Sequence, residues 1–470
     1  MALTDFKQAA DAAEPGLFAR LRQRAIGVMS GEHAFTQRQA GAAFTIRVAS
    51  AAIVFLSQAL LARWMGSDNF GAYVYVWTWL LLAGDLVHLG LPLTAQRFIP
   101  EYTQASSSDL LRGYLNGSRW LTFLVGCVVA ATAALIIYAV QGAFDARFVV
   151  PFYLACAALP VYGLTFMSDG LARSYNWIAV ALLPAYIVRP LILIGAVAGL
   201  RLVGFELDAA SVMAALAAAA WLSALVQVLQ LNGKLKAVIS NGPRRYEPRR
   251  WLGTALPIVF VWGFYALLTS TDVLVLEQFR PEHEVAYYYA AAKTLALVSI
   301  IYFAVAATTA HHFTAYHVAG DREGLARFAA ATVRWVFWLS FGATVIILVL
   351  GRPALMLFGP DFAAGYPVMA ILAVGQLARA SVGPAERVLN VLGQQRLCAF
   401  AYAFAFAFNI GACLALAPAY GAVGAAIGTA GAFVVESALL FLIAKRGLGL
   451  HMFAFGPWRP AAAGPAPNQG

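Results

Sequence analysis

The stretch NGPRRYEPRR, residues 241–250, decides how this chain is organised. Its four arginines, two prolines and one glycine stand between two long blocks from which charge almost disappears. Over 470 residues the chain is 61% hydrophobic and 11% charged, with mean hydropathy +0.74, whereas a soluble domain carries about 25% charged residues. Apolar runs near the roughly 20 residues that span a hydrocarbon core recur on both sides of the stretch. Six precede it, at 41–62, 71–92, 120–140, 148–168, 177–200 and 208–231. Six follow it, at 251–276, 285–310, 332–351, 364–385, 398–417 and 421–444. Helices satisfy every backbone polar group within such a run. Barrel strands would be about ten residues long and alternate in polarity, which these runs do not.

The loops carry an uneven charge. One side holds twenty-two Lys and Arg residues, including five in the N-terminal arm and six from Lys234 to Arg250. The other holds five, namely Arg63, Arg147, Arg201, Arg280 and Arg352. This bias puts both termini in the cytoplasm, and the expected location is a bacterial plasma (inner) membrane. It also accounts for the net charge of +10 without a nucleic-acid partner. The stretch LFARLRQRAIGVM (17–29) reads as a basic amphipathic segment lying on anionic membrane lipids. Residues 1–15 contain Asp5, Asp11 and Glu14 and no apolar core, so no cleavable signal peptide is expected. Cys127, Cys156, Cys398 and Cys413 fall inside spans without CxxC spacing and read as packing residues.

The two blocks repeat one another. Displacing the first by 215 residues puts Phe98 on Phe313, Leu110 on Leu325, Arg112 on Arg327 and the pair Arg119-Trp120 on Arg334-Trp335. An even number of spans in each half makes both halves enter the membrane in the same direction. Parallel repeats of this kind form two lobes around a central site. The expected fold is therefore an all-α polytopic membrane protein, with about twelve transmembrane helices in two parallel six-helix lobes around a central cavity. Its parts are a cytoplasmic arm (1–40), an N-lobe (41–231), a basic linker (232–250), a C-lobe (251–444) and a tail (445–470). The whole cytoplasmic tail reads as disordered, and its end, GPWRPAAAGPAPNQG, is Pro- and Gly-rich.

Five motifs in order carry a family resemblance. FLSQALLARWMGSDNFGAYVYVWTW (55–79) resembles the first hairpin of the polysaccharide exporter family, and LGLPLTAQRFIPEY (89–102) its second span and following loop. STDVLVLEQFRPEHEVAYYYAAAK (270–293) resembles its seventh and eighth spans. FGPDFAAGYPVMAIL (358–372) and PAYGAVGAAIGTA (418–430) resemble its tenth span and final hairpin. That family belongs to the multidrug, oligosaccharidyl-lipid and polysaccharide exporter (MOP) superfamily. The resemblance covers about residues 40–446 and implies a flippase without enzymatic activity. It implies a polyprenyl-pyrophosphate-linked saccharide as substrate, and polysaccharide polymerase and export proteins as partners. Some members have fourteen spans; twelve here fit the lipid II flippase branch less well.

Charges inside the spans are the candidate functional residues, because Arg, Lys or Asp at mid-helix costs about 2.5–3.5 kcal/mol and usually faces protein or a watery cavity. Arg47 and Asp85 lie at similar depth in spans 1 and 2, Asp272 and Lys293 in spans 7 and 8, and Arg379 and Glu436 in spans 10 and 12. Each couple reads either as a structural ion pair or as functional groups. Arg47, Lys293 and Arg379 are candidates for holding phosphate or sugar, and Asp85, Asp272 and Glu436 for ion coupling. Arg189 stands apart, since span 5 contains no acid and no acid of the first half sits clearly at its depth. Pro184 and Pro190 bracket it and permit a kink, and Tyr186 lies one turn away as a hydrogen-bond donor. Carbonyls freed at the prolines would satisfy Arg189 structurally. Alternatively, its planar fork would grip a diphosphate bidentately. His88 and the pair His311-His312 read as polar edge residues.

The leading expectation is a flippase that exports a lipid-linked oligosaccharide by alternating access, for cell-surface or extracellular polysaccharide synthesis. A multidrug exporter of the same superfamily is the alternative, although cationic drugs call for an acidic cavity. A membrane glycan polymerase or ligase fits less well, because the outer loops are short and no pair of carboxylates suits general acid–base work. A scaffold would leave the span charges without purpose. No GxxxxGK[ST] occurs, so no nucleotide cofactor is expected, and no metal.

Overall fold

Among the described residues the apolar runs are helical for most of their length, and several helices outrun their apolar windows. A computed structural model of the protein describes residues 32–143, 145–301 and 319–456, and between the last two stretches residues 305, 309, 313 and 316. The first half begins with α1 (Glu32–Met65) and α2 (Ser67–Val87), which turns into α3 (Leu91–Gln104). Then come α4 (Ser108–Val140), α5 (Ala146–Ser174), the broken helix α6 (Ile178–Leu183) with α7 (Arg189–Leu202), and α8 (Ala209–Val238). The second half runs through α9 (Pro248–Leu268), α10 (Thr271–Phe279), α11 (Glu282–Ala296), α12 (Arg322–Val349) and the short α13 (Gly351–Met356). It ends with α14 (Tyr366–Val382), α15 (Ala385–Val391) and α16 (Gln395–Leu448).

Among the described residues ten helices are long and apolar enough to cross a membrane. One of them, α16, is two spans. Gly421 breaks it with φ 59° and ψ −138°, a conformation that costs any residue with a Cβ. The limbs fold back on one another, with Cys413 Sγ 3.7 Å from the Ala425 carbonyl. Counting the two limbs of α16 separately gives eleven among the described residues, in keeping with the about twelve expected.

The helices gather into two bundles. In the first, α5 touches α2, α3, α4 and α8; in the second, α16 packs on α9, α10 and α14. The main seam between them is α11 against α2. From Ser50 onward both bundles belong to one body. The repeated Arg-Trp pair occupies equivalent places. Arg119 and Arg334 are half-buried, while Trp120 on α4 and Trp335 on α12 are 57% and 66% exposed. Large apolar side chains such as Val128, Leu135 and Ile346 are likewise exposed, as a lipid-facing belt requires and a soluble surface would not tolerate.

The basic linker is held against the first bundle. Arg112 Nε donates to the Pro243 carbonyl at 2.8 Å and Arg245 N to the Asp109 carbonyl at 3.0 Å. Trp251 Nε1 donates to Tyr102 Oη at 3.1 Å. We call this the linker end of the molecule. The opposite end is reached by the starts of α2, α5 and α11.

Part of the tail departs from expectation. Leu450, Met452 and Ala454 are buried, Ala454 N donates to the Ser381 carbonyl at 2.9 Å, and Arg334 Nη2 donates to the Gly456 carbonyl at 3.1 Å. Alternating apolar residues in LHMFAF (450–455) give this segment a face to bury. Residues 457–470, the N-terminal arm up to residue 31 and His311-His312 lie outside the described residues.

Candidate functional site

Span 5 is built around its prolines. Pro190 has no N–H and its ring crowds the carbonyl of residue 186. The chain responds with a π-helical turn over Pro184–Val188, in which Arg189 N donates to the Pro184 carbonyl, five residues back. Such widened turns occur often at functional sites. Here the turn delivers a half-buried Arg189 to α5, its guanidinium carbon 4.5 Å from the Tyr162 ring centroid. Among the described residues no carboxylate pairs with Arg189. A cation–π contact contributes about 0.5–2 kcal/mol, less than the ~2.5–3.5 kcal/mol insertion cost, so the ring alone does not offset the burial of this charge. Tyr186 takes a different place from the one expected. It is 37% exposed within the widened turn, and the ring beneath the Arg189 guanidinium is that of Tyr162.

The surroundings of Arg189 reach the seam. Tyr73 on α2 stacks on Trp77 at 6.2 Å, and Trp77 meets Tyr162 edge-on at 5.8 Å. Phe70, one turn before Tyr73, packs on Tyr289 of α11 at 6.0 Å. Tyr73 lies within electrostatic reach of Tyr289, Tyr162 and Arg189. Lys293, four residues after Tyr289 and on the same helical face, holds Nζ 4.9 Å from the Tyr289 ring. Two half-buried cations, one from each bundle, thus border one tyrosine-rich seam. The buried Tyr162 hydroxyl has no hydrogen-bond partner among the described residues.

The expected pairing of Lys293 with Asp272 is not formed. Residues 288 and 293 lie on different faces of α11, and it is Tyr288 that reaches Asp272. Its hydroxyl donates to Asp272 Oδ2, Thr429 Oγ1 donates to the same oxygen at 3.1 Å, and Val273 N donates to Oδ1 at 2.8 Å. Thr429 contacts Asn409 Oδ1 at 3.5 Å, and Asn409 Nδ2 donates to the Leu268 carbonyl at 2.8 Å. Asp272 is therefore the buried hub of a polar network joining α10, α11 and both limbs of α16.

Arg379 and Glu436 do pair, with Arg379 Nε 3.3 Å from Glu436 Oε1. The guanidinium also lies 4.8 Å from the Phe433 ring centroid and 5.4 Å from that of Tyr265. Glu436 Oε2 is buried and has no hydrogen-bond partner among the described residues. The pair borders a cavity of about 360 Å³ inside the second bundle. Asp85 is half-buried on α2; the side chain of Arg47 lies outside the described residues, and with it the expected Arg47–Asp85 pair.

The bundles are tied together at the end opposite the linker. Arg147 Nη2 meets Glu282 Oε1 at 2.5 Å, His283 Nδ1 lies 3.3 Å from Asp68 Oδ1, and Gln278 Nε2 donates to Tyr75 Oη at 3.1 Å. Gly71 leaves room for the Glu282 carbonyl, into which a Cβ would run. Glu277, just past the seventh apolar run, has one oxygen buried without a partner among the described residues. Burial first, and Glu282 second, push its pKa up to about 8, with Arg147 opposing.

Sequence reasoning missed Tyr162, Tyr73 and Tyr289. Tyr289 was legible as the i−4 neighbour of Lys293, but nothing along the chain connects Tyr162 with Arg189.

No family model and no curated protein matches the chain. Solved structures do. A multidrug resistance MATE family transporter of the MOP superfamily, in an inward-facing conformation, aligns with TM-score 0.71 and 15% identity over 86% of this chain and 98% of that one. The lipid II flippase MurJ, in an inward closed conformation, gives TM-score 0.68 and 14% identity over 86% and 87%. A MOP superfamily transporter from Pyrococcus furiosus gives 0.62 and 12% over 87% and 94%. With bundles joined at α2 and α11 and closed at one end, the chain has the fold of the MOP-superfamily transporters.

Proposed function

We propose that the protein flips a polyprenyl-pyrophosphate-linked oligosaccharide across the bacterial plasma membrane by alternating access, for cell-surface or extracellular polysaccharide synthesis. The observation that carries this reading is the pair of half-buried cations, Arg189 and Lys293, at the seam of the bundles. An anion is the ligand they favour. A guanidinium and an ammonium grip a diphosphate from two sides, and the sugar follows it while the polyprenyl chain stays in the bilayer. In this reading residues 41–231 and 251–444 rock as the two lobes, with both termini in the cytoplasm. Contacts such as Arg147–Glu282 hold the outer side shut, and anionic lipids attract the basic arm. Polymerase and export proteins then receive the product. Transport without catalysis agrees with the transporters and flippases that share the fold.

The test is translocation of a fluorescent polyprenyl-pyrophosphate oligosaccharide in proteoliposomes, comparing wild type with Arg189→Gln and Lys293→Gln. Loss of flipping in variants that insert and melt normally supports the reading; wild-type protein that does not flip the lipid overturns it. A multidrug exporter is the second reading, favoured by the MATE neighbours and by the buried acids Asp272 and Glu436. These acids, with Asp85, are the candidates for ion coupling in either case. Export of a lipophilic cation in place of the lipid would select it.

A further inference from the structure

The cavity within the second bundle is not used by the phosphate reading. Its volume of about 360 Å³ lies at the small end of the roughly 300–1,000 Å³ typical of ligand pockets. Its charges balance, with Arg379 and Arg387 standing against Glu386 and Glu436 on the lining. We propose that this cavity holds the neutral, polyhydroxylated part of the transported molecule, the sugar units next to the diphosphate. The inference rests on the flippase reading and names where its saccharide binds.

Elimination among ligand classes carries the argument. A cation entering the cavity meets two guanidiniums, and an anion meets two carboxylates. An acyl chain would bury four ionised groups and the Gln376 amide against hydrocarbon, at a cost of several kcal/mol. A sugar suits this mixed lining, since each hydroxyl both donates to carboxylates and accepts from guanidinium or amide groups, and Glu436 Oε2 has no hydrogen-bond partner among the described residues. The ring faces of Trp262, Tyr265 and Tyr402, all on the lining, suit the apolar C–H faces of a pyranose. The groups are also held in place. Glu436 fixes Arg379 at 3.3 Å, and Gln376 Nε2 donates to Ser299 Oγ at 3.0 Å. Position agrees as well. Val298 and Ser299 on the cavity wall follow Lys293 by five and six residues, just past the end of α11 at Ala296. A diphosphate at the seam thus has its first sugars within reach of the cavity.

Calorimetry of the full-length protein in nanodiscs tests the site without the lipid, using neutral disaccharides of hexose, N-acetylhexosamine and deoxyhexose units. At least one is expected to bind, and Glu386→Gln and Trp262→Ala are each expected to weaken it about tenfold or more, the scale of losing a charge-assisted hydrogen bond. Neither change breaks the Arg379–Glu436 pair. The proposal is overturned if no disaccharide binds, if both variants bind like wild type, or if tetraphenylphosphonium takes the site in a Glu386-dependent way. Disaccharide binding without flipping of the lipid-linked saccharide removes the flippase reading and leaves a sugar site. Flipping without disaccharide binding removes the sugar site alone.

Discussion

The guanidinium carbon of Arg189 lies 4.5 Å from the centroid of the Tyr162 ring, at the wall between the bundles. Because the ring returns less than burial of the charge costs, Arg189→Gln is expected to melt at the same temperature as wild type or slightly above it. Flipping of a lipid diphosphate is expected to fall about tenfold or more, the loss of one charge-assisted contact. Arg189→Lys keeps the charge without the fork and should fall between. Thermal melts beside flipping rates decide it, since a structural arginine would lose both together.

Asp272 and Lys293 are expected to behave independently. Asp272→Asn disturbs acceptors for Tyr288, Thr429 and the Val273 N–H and should cost about 1.5–3 kcal/mol. Among the described residues Lys293→Gln touches the Tyr289 ring contact alone and should cost less than about 1 kcal/mol. A double-mutant cycle should give coupling below about 0.5 kcal/mol. Strong coupling would show that the ion pair forms after all.

Arg379 and Glu436 should show the opposite. Removing one partner of a buried pair costs roughly 3–5 kcal/mol, and the lower end applies because the Arg379 side chain is 25% exposed. Replacing both, as Arg379→Met with Glu436→Leu, should recover most of the loss in a melt.

The closed end should respond to pH. In the closed arrangement Glu277 titrates near pH 8, chiefly through burial; hydrated on opening, it would return towards the usual value of about 4.3. The closed form therefore binds more protons. Its advantage is fully present below about pH 4 and is lost as pH rises through 8. Glu282, Arg147 and Tyr75 face this group from α11, α5 and α2, so the variant to compare is Glu277→Gln. Spin-label distances across this end between pH 6 and 9 should lengthen in wild type and change less in the variant.

Gly421→Ala should unfold the last hairpin more easily. The residue has φ 59°, and a Cβ there would run into Glu284 Oε2, which accepts the Ala422 N–H at 2.8 Å. This positive-φ conformation, outside the left-handed helical region, costs about 1–3 kcal/mol for a residue with a Cβ, and hydrogen exchange in 418–430 should rise.

Position along a helix was legible from the chain. The apolar runs, the Arg-Trp repeat and the prolines around Arg189 each place a residue along a helix axis; the broken span 5 follows its run closely, while α4 and α12 begin ten or more residues before theirs. Rotation about those axes was not legible. Asp272 and Lys293 stand at matching depths, yet one bonds Tyr288 and the other lies over Tyr289, adjacent residues on different faces of α11. The tail shows the same limit. Residues 445–470 read as one disordered tail, yet 450–455 bury an apolar face because α12, α14 and α16 offer a surface to pack on.

By itself, then, the sequence determined that this is a two-fold repeated membrane bundle with a few costly charges inside it. It could do so because hydrophobic length and charge are local properties of the chain in lipid. Only the tertiary structure decided that Arg189 and Lys293 share a seam, that Arg379 and Glu436 border a separate cavity, and that one end is latched. Those facts depend on which helix faces pack together, and packing between distant segments is settled by the shapes of all the side chains at once.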